Sequence, residues 1–323
     1  MTGETRVISV FGATGLQGGS VVRSLLKNKT CNFKVRAITR TPLAPKSQVL
    51  GDLGAEIAQA DGWNAHQVEL AVSGSWAVFV NTNSDDPIFW DPNGPTEFDL
   101  GKSIIDGIRN AGVKHVVLSS LQSAAKATGG RLAIATMDMK AKIEEYAKLS
   151  GSFDTICCLQ AGWYYEVFFT KETAQMHRGF PYYTDEEGYL SLHLPRWGKD
   201  KDEGVPFLAA EGDFGDLVHG VLLDPTVYNG QQIQGVSEIC TLTRYSEIFE
   251  QVTGKKARYV PLPSWRSLGE GIPEMEDARL LFAYGELTGG RYFGNEVSST
   301  TDAAALKRLA VSAQGGDVQV SLN

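Results

Sequence analysis

The chain has 323 residues, 42% hydrophobic and 21% charged, which is enough apolar material for a large core and excludes a disordered or fibrous protein. Its formal net charge of -8 repels polyanions and no basic cluster is visible, so direct nucleic-acid binding is disfavoured. No apolar run approaches the roughly 20 residues of a bilayer span and no secretory leader is recognisable, so we expect a cytoplasmic protein without a membrane partner.

The first half alternates short β-branched runs with helical patterns, which is typical of a parallel sheet covered on both faces. The predicted fold class is therefore α/β, a Rossmann-type doubly wound parallel sheet with a smaller C-terminal α/β domain. The six predicted strands run from Arg6 to Phe11, Lys34 to Thr39, Ala55 to Gln59, Trp76 to Asn81, Lys114 to Ser119 and Asp154 to Leu159.

The regular pattern ends near Gln160. We therefore predict a dinucleotide-binding domain over residues 1–160 and a smaller substrate or partner domain over 161–323, with the strand-like segment near 230–237 as a candidate to return to the main sheet. The polar stretch from Pro195 to Gly204 indicates an exposed loop, and the tail after Ala313 is expected to be mobile.

The strongest local motif is VFGATGLQGGSVV, which places Gly12, Gly15 and Gly18 between the first strand and a helical pattern. Gly12 can take the tight turn, Gly15 lets the backbone approach a pyrophosphate, and Gly18 allows close helix packing. Free N–H groups at the start of the helix would bind the phosphates. Such a turn can also bind nothing, but its position here favours a dinucleotide.

The end of the second strand distinguishes between the two nicotinamide dinucleotides. NAD-binding turns usually place Asp or Glu there, whereas this chain has AITRTP, with Arg40. A guanidinium can bond an adenosine 2′-phosphate, so we predict NADP(H). Arg40 could instead be an ordinary solvated cation at a strand end.

Further cofactor contacts are expected where strands three and four end, because ligands of open α/β sheets lie at the carboxyl ends of the strands. These residues are also common in turns that bind nothing. The candidates are Asp61, Gly62, Asn81, Thr82 and Asn83.

Several separated segments together resemble the NmrA-like family of atypical short-chain dehydrogenase/reductases: FGATGLQGGSV, KVRAITRTP, GGRLAIATMDMKAKIEEY, GWYYE and GDFGDLVHGVLLDP. The resemblance implies an NADP(H)-binding Rossmann protein. It also implies roles for a phosphate loop (Gly12, Thr14, Gly15, Leu16, Gln17, Gly18), a 2′-phosphate contact (Arg40), a lysine at the nicotinamide ribose (Lys140) and a segment beside the nicotinamide (Gly162, Trp163, Tyr164, Tyr165).

The usual catalytic pair of this class is YxxxK on one helix face, but Thr136 stands four residues before Lys140. A threonine hydroxyl is a poor proton donor near neutral pH, which puts the standard mechanism in doubt. Lys140 itself is the first candidate acid, followed by Tyr164, Tyr165 or an ordered water. Ser119 and Ser120 close the fifth strand and are weaker candidates, and Lys140 could instead form a surface ion pair with Glu144.

Two functions remain open from the sequence. One is an NADPH-dependent oxidoreductase of a small apolar or aromatic substrate, enclosed by Trp163, Tyr164, Phe168 and parts of the C-terminal domain. The other is a non-catalytic NADPH/NADP+ sensor that regulates a protein partner, with nuclear access possible. The four cysteines lack the spacing of a metal site or a disulfide framework, so neither is predicted. The sequence indicates neither the substrate nor the oligomeric state.

Overall fold

The structure is a computed structural model that describes residues 4–199, 202–272 and 275–316. Its first half alternates strands and helices in the order β1 (Arg6–Phe11), α1 (Leu16–Leu26), β2 (Phe33–Thr39), α2 (Pro45–Asp52), β3 (Glu56–Gln59), α3 (Ala65–Val72), β4 (Ala77–Val80), α4 (Glu97–Asn110), β5 (His115–Ser120), α5 (Ala124–Ala127), α6 (Ala135–Leu149) and β6 (Thr155–Ala161).

The second half is less regular and mixes short strands with helices. Its elements are β7 (Trp163–Tyr164), α7 (Lys171–Met176), β8 (Leu190–Pro195), β9 (Val205–Leu208), α8 (Phe214–Leu223), β10 (Gln232–Gly235), β11 (Glu238–Cys240), α9 (Leu242–Thr253), β12 (Ala257–Leu262), α10 (Glu276–Thr288) and α11 (Thr301–Ala313).

The main sheet has seven parallel strands in the order β10-β6-β5-β4-β1-β2-β3. On one side of β1 the sheet continues through β2 to β3. On the other side it continues through β4, β5 and β6 to β10. The carboxyl ends of β1 and β4 therefore border the crevice where open α/β sheets bind ligands. The predicted Rossmann-type α/β fold is confirmed.

The six predicted strands all form, and their bounds differ from the prediction by at most two residues. Strand β4 ends at Val80, which leaves Asn81 in the turn at the carboxyl edge. Strand β6 continues to Ala161 because it is buried along its whole length between β5 and β10. Its adjacent thiols, Cys157 and Cys158, pack into the cores on opposite faces of the sheet.

Residues beyond 161 contribute to two different cores. Helices α8 and α11 pack beside α1 on the main sheet, and β10 pairs with β6. The remaining strands form two small sheets, β11-β9-β7 and β12-β8, which enclose an aromatic core of their own. The boundary at residue 160 stays a prediction, since part of the C-terminal half covers one face of the dinucleotide fold.

One sequence expectation about the surface was wrong. Within the stretch predicted as an exposed loop, Trp197 is 0% exposed and donates its indole N–H to the carbonyl oxygen of Gly290 at 2.9 Å. Its polar neighbours hid this anchor, because an aromatic ring packs wherever tertiary structure offers a core. Residues 200 and 201 of that loop, and residues 317–323 of the tail predicted to be mobile, lie outside the described residues.

Among the helices that the structure describes, none is both long enough and apolar enough to span a bilayer.

Candidate functional site

The glycine turn leads from β1 directly into the first turn of α1. Gly12 has a φ of +78°, and a Cβ there would lie 2.9 Å from the carbonyl oxygen of Asn81. A Cβ on Gly18 would lie 2.2 Å from the Gly12 oxygen, so the turn can close only with glycine at this position. Gly15 caps α1 without any side-chain hydrogen bond, which leaves the first N–H groups of the helix for a ligand.

A single cavity of about 1020 Å³ extends from this turn across the carboxyl edge of the sheet into the aromatic C-terminal region. Most of the predicted site residues line it: Gly12, Thr14, Gly15, Leu16, Gln17, Arg40, Asp61, Asn81, Thr82, Asn83, Lys140, Gly162, Trp163 and Tyr164. The strand ends therefore bring the predicted residues together, as the fold requires.

Three predicted residues do not line the cavity. Gly18 instead packs α1 against the glycine turn, and Gly62 is enclosed by apolar side chains, so that a Cβ there would lie 2.9 Å from Leu100 Cδ1. Tyr165 points away from its neighbour Tyr164. Its hydroxyl donates to Glu238 at 2.9 Å, and its ring stacks on Phe207 with 4.9 Å between centroids.

One end of the cavity carries the positive charges that an adenosine phosphate would need. Arg40, Thr41 and Lys46 line this end, and no carboxylate occupies the end of β2 itself. Arg40 is exposed, and its guanidinium lies 3.8 Å from the Asp86 carboxylate. That weak contact leaves the guanidinium free to turn toward a phosphate.

Lys140 lies at the centre of the cavity and is buried. Its ammonium donates to Glu97 Oε1 at 2.9 Å, to the carbonyl oxygen and hydroxyl of Thr82 at 2.9 and 3.1 Å, and to Asn81 Oδ1 at 3.4 Å. An ammonium has three protons, and these acceptors already use them. The surface pair with Glu144 does not form, because Glu144 binds Lys148 at 2.8 Å.

Glu97, which the sequence analysis missed, is the buried counter-ion of Lys140. Its side chain is 4% exposed, and Oε1 also accepts hydrogen bonds from the hydroxyls of Thr82 and Ser84. A signal was present: Glu97 occupies the inward face of α4 together with Gly101, Ile104 and Ile108. A carboxylate on a buried stripe needs a partner.

The hydroxyls of Thr136 and of the weaker candidate Ser120 both donate to carboxylates outside the cavity. The Thr136 hydroxyl donates to Asp277 Oδ2 at 2.7 Å, which ties α6 to α10. The Ser120 hydroxyl is buried and donates to the carboxylate of Glu144. Ser119 lines the cavity, but no side-chain hydrogen bond orients its hydroxyl within the described chain.

Tyr164 is placed differently from these groups. Its hydroxyl oxygen accepts a hydrogen bond from Gln17 Nε2 in the first turn of α1, and no described acceptor takes its own proton. Burial raises the pKa of Tyr164 above its usual value, although the Gln17 hydrogen bond opposes this. The phenol therefore keeps its proton at neutral pH beside the point where the glycine turn meets β7.

The opposite end of the cavity is walled by apolar side chains from the C-terminal half. Trp163 packs edge-on against Trp197 and Phe282, at 5.2 and 5.3 Å between centroids. We call this end the aromatic compartment; it is lined by Trp163, Phe168, Met176, His177, Leu194, Leu268, Leu281, Phe282 and Tyr292. Trp163 and Phe168 were expected to enclose a substrate. The other residues were not predicted, because they come from segments without clear periodicity that only tertiary structure brings together.

The site geometry fits a bound dinucleotide. The turn has room for a pyrophosphate only because glycines form it, and the start of α1 offers uncapped N–H donors to its oxygens. A dinucleotide in this cavity would lie along the carboxyl ends of β1, β2 and β4, between Arg40 and Lys140.

Comparison with known proteins identifies the family and supports the same fold. The model of the NmrA-like family matches residues 4–309. The chain is 50% identical over 313 residues to the NmrA-like family domain-containing oxidoreductase cpsB of Aspergillus campestris, covering 97% of this chain and 92% of that protein. It is also 50% identical over 314 residues to oxidoreductase FrzB of Cladobotryum sp, covering 96% and 93%.

The solved structure of NmrA, a negative transcriptional regulator in complex with NADP, superposes with a TM-score of 0.73. The two sequences are 22% identical, and the match covers 97% of this chain and 95% of that one. At this identity the likeness shows the fold alone.

Proposed function

We propose that this chain, which belongs to the NmrA-like family, is an NADPH-dependent oxidoreductase that reduces a small apolar or aromatic substrate in the cytoplasm. The observation that carries the proposal is the single cavity that joins the glycine turn to the aromatic compartment. A nucleotide-binding crevice continuous with an apolar pocket allows a dinucleotide and a second molecule to meet. The family's curated oxidoreductases point in the same direction.

The choice of NADP(H) over NAD(H) rests on charge. Arg40 and Lys46 line the adenosine end of the cavity, and a carboxylate that would repel a 2′-phosphate is missing from the end of β2. When bound, the dinucleotide would supply the hydride at its nicotinamide ring. Asn81, Thr82 and the Gly162–Tyr164 segment would enclose that ring, while the glycine turn would hold the pyrophosphate.

The arrangement assigns different tasks to the two residues first proposed as acids. Lys140 would hold Asn81 and Thr82 in place at the nicotinamide end rather than give up a proton, since its protons already bind Asn81, Thr82 and Glu97. Tyr164 is the better-placed proton donor, because Gln17 orients its hydroxyl and leaves its proton free. The substrate would take a proton from Tyr164 while it lies against Trp163.

Calorimetric titration with NADPH, NADP+, NADH and NAD+ tests the cofactor. Arg40→Ala should weaken NADPH binding by about tenfold to a hundredfold, the loss of one charge-assisted hydrogen bond, and should leave NADH unchanged. Arg109→Ala is the matched control, because Arg109 is equally a surface arginine beside an aspartate but lies outside the cavity. Equal weakening of NADPH and NADH binding by Arg40→Ala would contradict the assignment.

Turnover is tested by NADPH oxidation with a panel of carbonyl, enone and imine compounds. For any active compound, Tyr164→Phe should lower kcat with little change in the affinity for NADPH, whereas Tyr165→Phe should have no effect on kcat. An unchanged kcat in Tyr164→Phe would remove Tyr164 as the acid.

The sensor of NADPH/NADP+ state remains a second candidate because Thr136 replaces the usual tyrosine and its hydroxyl is bound to Asp277. A sensor must bind its protein partner differently in its two nucleotide states, since a ligand without differential affinity shifts no equilibrium. Equal partner binding with NADPH, with NADP+ and without nucleotide would exclude this role. No turnover on the whole panel would favour it.

A further inference from the structure

The aromatic compartment has a large surface for contact with an apolar ligand. It has few polar groups that could fix the orientation of that ligand. Its walls include Phe168, Met176, Leu194, Leu268 and Phe282. These side chains belong to the C-terminal core and present only hydrocarbon and thioether surface. Apolar contact is non-directional, so a ligand held by these walls alone could bind in several orientations.

His177, like Trp163 and Tyr292, is a polar side chain in this otherwise apolar wall. It directly follows α7, is 4% exposed, and its ring stacks on Phe168 with 5.2 Å between centroids and an interplanar angle of 21°. Its backbone is fully used, since its N–H donates to the Thr173 oxygen and its carbonyl accepts from His193. The residue is thus held by its backbone hydrogen bonds and by ring packing, and no side-chain hydrogen bond is needed to hold it there.

The imidazole of His177 has no hydrogen-bond partner. Nδ1 is buried and unpaired, and no described residue bonds Nε2. Most buried polar side-chain atoms are bonded, and leaving one unpaired costs about 1–3 kcal/mol. An unpaired imidazole in the wall of a cavity is therefore a polar group left for a ligand. Trp163 Nε1, in the same compartment, is likewise buried and unpaired.

Burial lowers the pKa of His177 from 6.5 to about 4. The ring is thus neutral at physiological pH and has one N–H donor and one nitrogen acceptor. A neutral imidazole in an apolar pocket suits an uncharged hydroxyl, carbonyl or N–H group. It would disfavour a carboxylate, which would enter the pocket without a counter-charge.

We propose that His177 is the substrate-orienting residue of the aromatic compartment, and that the substrate is an aromatic or apolar compound with an uncharged hydrogen-bonding group that reaches this imidazole. The proposal rests on the oxidoreductase function proposed above, because it takes the compartment as the substrate end of the cavity. It makes His177 a specificity determinant that touches the substrate away from the nicotinamide end.

The test uses two probes of the same shape, naphthalene and 2-naphthol. Their dissociation constants are measured by equilibrium dialysis against the protein, with and without saturating NADP+, for wild type and His177→Phe. Phenylalanine keeps a flat ring on Phe168 and removes both nitrogens. The ratio of the naphthalene constant to the 2-naphthol constant should fall about tenfold in His177→Phe, which is one lost hydrogen bond.

His193→Phe is the matched control, because His193 lies on the neighbouring strand β8 but outside the cavity. It should leave the ratio at its wild-type value. An unchanged ratio in His177→Phe overturns the proposal, and so does the same fall in His193→Phe.

A second measurement uses only the wild-type protein, so it still applies if the His177→Phe variant does not fold. In wild-type protein labelled with ¹⁵N-histidine, 2-naphthol should shift the ring-nitrogen signals of one buried histidine, and naphthalene should not. Identical effects of the two probes would overturn the proposal. The outcome also separates this proposal from the proposed function. If the protein binds no NADP(H) but His177→Phe still lowers the ratio of the naphthalene and 2-naphthol dissociation constants, the oxidoreductase function is contradicted and the His177 contact stands.

Discussion

The buried pair of Lys140 and Glu97 allows the most quantitative test of the site. The change is Glu97→Gln, which keeps the size of the side chain and removes its charge. All three donors, from Thr82, Ser84 and Lys140, reach the same oxygen, Oε1. A glutamine whose amide oxygen takes that place retains these acceptor positions, so the main loss is the counter-charge of the ammonium.

The expected magnitude follows from burial. The side chains of Lys140 and Glu97 are 9% and 4% exposed, and breaking a buried pair by removing one partner costs about 3–5 kcal/mol. Because the hydrogen bonds can persist, we expect about 3 kcal/mol, roughly a hundredfold in the folding equilibrium. Lys140→Met should cost at least as much, since it leaves the Glu97 carboxylate buried and unpaired.

The assay is urea unfolding of the four members of a double-mutant cycle: wild type, Glu97→Gln, Lys140→Met and the double variant. The double variant should be clearly less destabilised than the sum of the single variants, because no charge is then left alone. The control is Glu145→Gln, which lies on helix α6 together with Lys140. Its partner Lys126 is 70% exposed, and such surface pairs contribute less than about 1 kcal/mol.

Two results would refute this reasoning. One is an additive cycle, which would mean that the two charges do not interact. The other is a cost of Glu97→Gln no larger than that of Glu145→Gln, which would mean that water screens the pair as it screens a surface pair.

Three further predictions concern the glycine turn, the thiols and pH. Gly18→Ala should destabilise the fold by about 1–3 kcal/mol and abolish NADPH binding, since its Cβ would meet backbone that cannot move aside; normal binding in calorimetry would contradict this. A disulfide reagent should modify only Cys31 rapidly, because burial raises the pKa of the other three thiols, and Cys31→Ser should remove the fast phase. Burial lowers the pKa of both His219 and His177 to about 4, so the unfolded chain binds the extra protons and each histidine should lower stability by about 3 kcal/mol as pH drops from 6.5 toward 4. His219→Gln should remove about half of that slope, and an unchanged slope would contradict the assignment to His219.

The fold could be predicted from the sequence because its signals are local. Strands such as β1 and β5 are short β-branched runs, and each is followed by a helix with apolar residues at helical spacing. The glycine turn was equally visible in the sequence. Neighbouring backbone atoms lie so close to Gly12 and Gly18 that no larger residue fits, and this requirement leaves a recognisable spacing of glycines. Most of the predicted site residues that line the cavity follow the ends of parallel strands, whereas Lys140, on helix α6, was expected only from the family resemblance.

The remaining site residues depend on contacts between distant segments. Glu97 precedes Lys140 by 43 residues, and its position beside the capping box of Thr96 and Asp99 made it resemble an ordinary first-turn acid. His177 follows a short helix that is positioned by the C-terminal core. The sequence of that region shows no regular spacing of apolar residues, so neither the core nor the position of His177 could be predicted. The distinction between Tyr164 and Tyr165 was not visible in the sequence, because Tyr165 begins a short 3-10 helix instead of continuing strand β7.

The departure at Thr136 has a structural consequence that the motif alone does not reveal. In the usual arrangement the acid and the ribose-binding lysine share one helix, whereas here the α6 position is taken up by a bond to α10. The phenol that remains free, that of Tyr164, lies on β7 and is oriented by Gln17 of the phosphate-binding helix. Gln17 is buried in the first turn of α1, beside the glycine turn, and it already holds the phenol without a ligand. The element that would bind the pyrophosphate therefore also positions the proposed acid, so that in this chain α1 has the orienting part that α6 has in the usual arrangement.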